Sequence, residues 1–361
     1  RSTLFPYTTL FRSRDNLNTQ KNEGWWVRNI TVEDVNKDKD KTLAEKMKTR
    51  GAVKISTEAQ PNCKLVVLAN LENTVFSLDG QDALHRLGEV ETLDQRKAVK
   101  VALQQDVVSR ANQFLMMGEL DVKNTSDLTW GSVKNNNPDY NSKYTVDLGK
   151  IDAKVKFRIK YNTTNISKIE ARNWEAHRVP ENCLLYPNEA PENGDAHDYF
   201  DAQPAYFEGT ETENGETYHV FSFYMLENRQ PPKRSVDTYE GNIFGTTKSK
   251  HFLREMQYKD DTSPHGDPYV QNRDPLDDGW QYAKQNATYV KFDLVLTLTP
   301  IGIGVMQEGI AEALTTEAFF TVHLGNFTEG ALGFDDYNVE RGHFYTYNVT
   351  INNTSLDRKS V

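Results

Sequence analysis

The sequence predicts an all-β fold with minor helices, arranged as two antiparallel β-sandwich domains. Three observations point there. Apolar and polar residues alternate with a period of two over several long runs, the pattern that turns one strand face to a core and the other to water. Aromatic residues make up 11% of the chain, with 17 Tyr and 17 Phe, and such side chains suit pleated, half-buried surfaces. Helical periodicity is confined to residues 79–110, apart from one short candidate nearer the start.

In chain order, VRNITVEDV (27–35) and CKLVVLAN (63–70) are predicted strands, the second apolar enough to be buried on both faces. KTLAEKMK (41–48) is a short candidate helix, and the mixed-sign run DVNKDKDK before it is a solvated loop. DGQDALHRLGEV (79–90) follows an Asp-Gly turn, and Asp82 is its expected N-cap. LDQRKAVKVALQQDVVSRA (93–111) spaces Ala98, Val99, Ala102, Leu103, Val107 and Val108 near the helical period, so a second helix is expected there.

The second half is strands. In KVKFRIKY, Val155, Phe157, Ile159 and Tyr161 point one way, while Lys154, Lys156, Arg158 and Lys160 point the other. TYVKFDLVLTL repeats the pattern with Val290, Phe292, Leu294, Leu296 and Leu298, and HFYTYNVTIN with Tyr345, Tyr347, Val349 and Ile351. TYHVFSFYML and AFFTVHLG are further strands. Stretches rich in Pro, Gly, Asn and Asp around 124–143, 180–200 and 258–280 are predicted loops.

The two ends read differently. RSTLFPYTTLFRS (1–13) back-translates to a common short-read sequencing adapter, and DRKSV (357–361) to the reverse complement of one. Both are expected to be artefacts flanking a gene fragment and are set aside from the fold. The natural chain is then expected to begin before Arg14 and to run past Ser355. The expected layout is 14–148 for an N-terminal domain with helices and 149–356 for a C-terminal one.

Composition narrows the function classes. The net charge is −10, and it becomes more acidic without the adapter-encoded ends. No basic block supports a nucleic-acid partner. No apolar run approaches the roughly 20 residues of a membrane helix. Cys63 and Cys183 lack metal-ligand spacing and read as two separate buried thiols.

No hydrolase, zincin, P-loop or dinucleotide signature occurs. The eight histidines are scattered. His197 beside Asp195 and Asp198 has weak ligand spacing, and DPLDDGW (274–280) puts acids at 274, 277 and 278, not at the alternate positions of a calcium loop. Trp25, Trp26, Trp130, Trp174 and Trp280 are expected in cores before any sugar platform. Sequons such as Asn29, Asn162 and Asn348 matter only after a eukaryotic secretory route. No catalytic, cofactor-binding or metal residue is therefore predicted, and the chain is expected not to be an enzyme.

KIEARNWEAHRVPENCLLYP (168–187) after IDAKVKFRIKY resembles the start of the C-terminal domain of fimbrillins, the type V pilin-like subunits of Bacteroidota-type bacteria. FSFYMLENRQ (221–230), ATYVKFDLVLTLTP and TVHLGNFTEGALGFDDYNVERGHFYTYNVTIN resemble its later strands. In them an LG turn, an Asp-Tyr-Asn-Val stretch and an Arg precede a Tyr-X-Tyr strand. WWVRNITVEDV, CKLVVLAN, the helical interval and QFLMMGEL follow the order of its N-terminal domain. Gly342 after Arg341, where Asn is more usual, departs from the pattern, as does the charged 34–50 segment.

The resemblance implies two transthyretin-like sandwiches in a fimbrial subunit or surface adhesin, exported as a lipoprotein to the cell surface. It also implies assembly with other subunits by strand exchange, in which an edge is completed in trans. Arg50 is then a candidate processing site, though a loop arginine needs no such role. The donor strand is expected upstream of Arg14 or beyond Ser355. The rival reading is a surface glycan-binding lipoprotein with a Trp platform at Trp130 or Trp280. A third, a secreted carbohydrate-active enzyme, needs two convergent carboxylates.

Overall fold

The computed structural model describes residues 7–14, 26–31, 61–70, 75–90, 95, 97–104, 106, 108, 114–124, 146–186, 198–231, 255, 280, 282–303, 314–326 and 336–352. The chain forms two compact units. Unit 1 takes residues 1–105, 110–152 and 182–187, and unit 2 takes 106–109, 153–181 and 188–361. The candidate helix at 41–48, the charged run before it, Arg50, and most of the loops at 124–143 and 258–280 lie outside the described residues.

Unit 1 contains β1 (Tyr7–Arg14), β2 (Trp26–Thr31), β3 (Pro61–Ala69), β4 (Phe76–Leu78), α1 (Ala83–Glu89), β5 (Lys100–Leu103), β6 (Met116–Asn124), β7 (Gly149–Lys150) and β11 (Asn182–Leu184). One sheet has the order β2-β1-β3-β6-β7 and a second the order β11-β5-β4. Val66, Leu68 and Ala69 of β3 are buried with Phe114, Leu115, Met116 and Met117. Helix α1 starts as expected. The Asp82 carboxylate accepts the His85 N–H at 3.0 Å, satisfying one of the donors a helix start leaves open.

Of the second expected helix, described residues Gln95 and Lys97 are helical, but from Lys100 to Leu103 the chain is a strand instead. The helical stretch ends in a turn at Ala98; Val99, just before β5, and Val101 within it are fully buried, and Lys100 is exposed. Val101 pairs with Leu78 on one side and Cys183 on the other. Two strand partners outweigh a propensity that is weak for valine in any case.

Unit 2 holds β8 (Asp152–Tyr161), β9 (Ile166–His177), β10 (Val179–Pro180), β12 (Tyr199–Phe200), β13 (Ala205–Tyr206), β14 (Gly209–Glu213), β15 (Glu216–Leu226), β16 (Tyr289–Leu298), β17 (Thr315–His323) and β18 (Phe344–Ile351). Its two four-stranded sheets run β13-β9-β16-β17 and β14-β15-β8-β18. Aromatic rings join their inner faces. Trp174 of β9 stacks on Phe221 of β15 at 4.6 Å, Phe221 on Phe157 at 4.9 Å, and Phe157 on Tyr347 at 4.9 Å.

The expected strands are present, and the described pairings are antiparallel with one exception: β18 runs parallel to β8. The expected loop at 180–200 carries short strands at both ends. Extended backbone that finds a neighbour becomes a strand even where Pro and Asn are frequent.

Candidate assembly site

The first feature is a strand slot in unit 1. β1 lies between β2 and β3, with Tyr7 to Arg12 in register with Thr31 to Trp26, and Thr8 to Arg14 in register with Ala69 to Cys63. Residues 1–13, set aside from the fold on sequence grounds, thus supply most of an inner strand. The pairing runs through main-chain N–H and C=O groups, which every non-proline residue carries, and Tyr, Thr, Leu and Phe tolerate a pleated backbone.

The second feature is a polar latch in unit 2. Directly after β15, Glu227 is buried and its carboxylate receives Arg229 on one oxygen and Arg341 on the other. Fully buried Asn228 exchanges two main-chain bonds with Val339, at 2.9 and 2.8 Å. Its amide donates to the Asn286 carbonyl at 2.9 Å and to Thr288 Oγ1 at 2.8 Å. Gln230 donates to Tyr199 Oη and Asn228 Oδ1, each at 3.0 Å.

The same loop is fixed from β18. Tyr345 Oη accepts the Glu340 N–H at 2.9 Å, and burial first of all pushes its phenol up to about 12. Tyr347 Oη accepts the Gly325 N–H and donates to the Gly325 carbonyl, both at 2.8 Å. Gly325 sits at φ +130°, and a Cβ there would lie 2.0 Å from the Asp336 carbonyl oxygen, so only glycine fits. The Glu-Asn turn, LG turn, Asp-Tyr-Asn-Val stretch and Tyr-X-Tyr strand therefore meet in one place.

A third cluster surrounds His177, which stacks on Tyr289 at 4.8 Å. Its Nε2 lies 3.2 Å from Glu175 and its Nδ1 3.3 Å from Asp201. Burial opposes ionisation of Asp201, but the Arg178 N–H and His177 outweigh it and hold the carboxyl below its usual range. Buried His323 likewise faces buried Glu255 at 2.7 Å.

Among the described residues no three His, Cys, Asp or Glu side chains group as metal ligands. His197, Asp195 and the acids at 274, 277 and 278 lie outside the described residues. Trp174 and Trp280 are buried, as is Cys183. Among the described residues no helix is long and apolar enough to cross a membrane.

No protein-family profile matches the sequence, and no curated protein matches it. Solved structures do. A proposed cell adhesion protein from Parabacteroides distasonis aligns over 98% of this chain and 88% of its own, with 11% identity and a TM-score of 0.50.

The fold is shared with that protein. A fimbrilin of Porphyromonas gingivalis aligns over 99% of this chain and 86% of its own at 14% identity and a TM-score of 0.45. The tip fimbrial protein Mfa3 of the same organism, truncated at its C-terminus, covers 96% and 89% at 12% identity and a TM-score of 0.41.

Proposed function

We propose that the chain is a subunit of a surface fimbria or a fimbria-associated adhesin, non-enzymatic, which assembles with other subunits by β-strand exchange. In this reading the natural protein is exported as a lipoprotein to the cell surface. The observation that carries it is β1, which pairs on both sides inside the unit 1 sheet, read together with the expectation that residues 1–13 are adapter-encoded. A slot that takes such a strand in cis supplies the edges that β-augmentation uses in trans. The fold shared with the adhesion protein supports it by analogy only. The Trp-platform reading loses Trp174 and Trp280 to the core.

The test is displacement. Cleaving the chain at a sequence-specific protease site inserted between Arg14 and Trp26 leaves β1 held only by its pairing. An excess of isotope-labelled peptide of the β1 sequence should then exchange into the protein, as read by native mass spectrometry. A peptide with Pro at the Leu10 position should not. A cleaved chain that keeps its strand indefinitely, or takes both peptides equally, would overturn the exchange mechanism.

A further inference from the structure

The edges of the unit 2 sheets are not alike. β13 has two residues and follows Pro204, and β17 carries Glu317, paired with Arg172 at 3.0 Å. Short length, proline and charge are the devices that keep an edge from pairing with another chain. β18 has none of them: its eight residues, FYTYNVTI, contain no charge and no proline. Among the described residues it is also terminal in its sheet.

The ladder to β8 fixes which groups β18 leaves open. The Lys154 N–H donates to the His343 carbonyl and the Asn162 N–H to the Ile351 carbonyl, both at 2.9 Å. These bonds set the parity, so odd-numbered residues turn their backbone groups to β8. Phe344, Thr346, Asn348 and Thr350 turn theirs to the open side. Phe344 is 60% exposed.

Lys154, the one cation of the β8 face without a carboxylate among the described residues, bears on the occupant. The outer face of β8 carries Lys154, Lys156, Arg158 and Lys160. Lys156 reaches Glu211 at 2.5 Å and Arg158 reaches Glu213 at 2.6 Å, both across the intervening β15. A strand laid on β18 would stand at the same two-strand distance from β8. The side chains in between, Thr346, Asn348 and Thr350, are short and uncharged. Lys154 lies over the rings of Tyr224 and Phe344, and among the described residues it has no carboxylate.

Among the described edge strands, β14 has the matching chemistry, with Thr210-Glu211-Thr212-Glu213 alternating. Its two-residue turn at Asn214–Gly215 makes Glu213 and Glu216 the closing hydrogen-bonded pair. Thr212 and Thr210 therefore turn their backbone groups outward.

We infer that β18 of one copy docks β14 of a second copy, continuing the unit 2 sheet head-to-tail. Each added copy leaves one β14 and one β18 unused, so the association is open-ended. It uses unit 2 alone and does not depend on strand exchange in unit 1.

The test is analytical ultracentrifugation of the full chain with two blocked variants. Thr346→Pro removes an outward N–H from β18, and Thr212→Pro does the same for β14. The unaltered chain should associate as concentration rises, more weakly at high salt. Each variant alone should stay monomeric, and an equimolar mixture should stop at a 1:1 dimer, because only one competent pair of edges remains. Phe344→Asp, an exposed change that leaves the fold alone, should weaken association about tenfold by facing the incoming carboxylates. A monomeric unaltered chain would overturn the inference. So would association that all three variants leave unchanged, which would point instead to another surface such as the unit 1 slot.

Discussion

Units 1 and 2 hold an inner strand in different ways. β1 pairs through its main chain on both sides, with β2 and with β3, and most of it belongs to the stretch expected to be adapter-encoded. β8 is also an inner strand, but it is specified by side chains. Val155, Phe157 and Ile159 are fully buried on one face, and a basic row on the other meets Glu211, Glu213 and Glu216. Under the proposed assembly, the first kind of strand is the exchangeable one. The second cannot be slipped by one residue without putting its lysines in the core.

The strongest test of that contrast is Phe157→Ala. Phe157 stacks on both Phe221 and Tyr347 and is fully buried, so the change should cost about 3–5 kcal/mol in urea denaturation. Glu227→Ala should approach this, about 3–5 kcal/mol, because Arg229 and Arg341 lose the carboxylate that compensates them.

A smaller effect is expected at alkaline pH. Tyr345 binds its proton more tightly folded, at about 12, than in the unfolded chain, at about 10. Its contribution is complete below pH 10 and is lost as pH rises toward 12. Tyr345→Phe should remove that loss from a pH series of denaturation midpoints, and the phenolate absorbance of the folded protein should lack one late-titrating group.

Replacing Thr8, Leu10 and Arg12 one at a time by Val should change stability by no more than about 1 kcal/mol each, the span of strand propensity. A loss as large as that of Phe157→Ala would erase the distinction between the two strands. Smallest of all, Lys160→Met, which breaks the exposed pair with Glu216, should leave the midpoint unmoved and only flatten its dependence on salt.

Much of unit 2 was legible because alternation is a local property. Lys154 to Tyr161, Tyr289 to Leu298 and Phe344 to Ile351 each state which face is buried, and the structure buries that face. The Asp82 cap was equally local. Within the 93–111 segment, Lys100 to Leu103 departs from the expected helix because Val99 and Val101 satisfy a strand's period as well as a helix's, and only β4 and β11 decide between them.

The latch was legible as motifs but not as a site. Glu227 and Arg341 are 114 positions apart, and no spacing rule links residues that distance away. Composition and period by themselves determined an all-β chain with aromatic strands and no recognisable catalytic signature. The tertiary structure alone decided the parallel β8–β18 pair, the return of Asn182–Pro187 to unit 1 and the strand between β2 and β3. Side-chain patterns say which face of a strand meets a core, whereas strand partners are set by backbone groups that every residue shares.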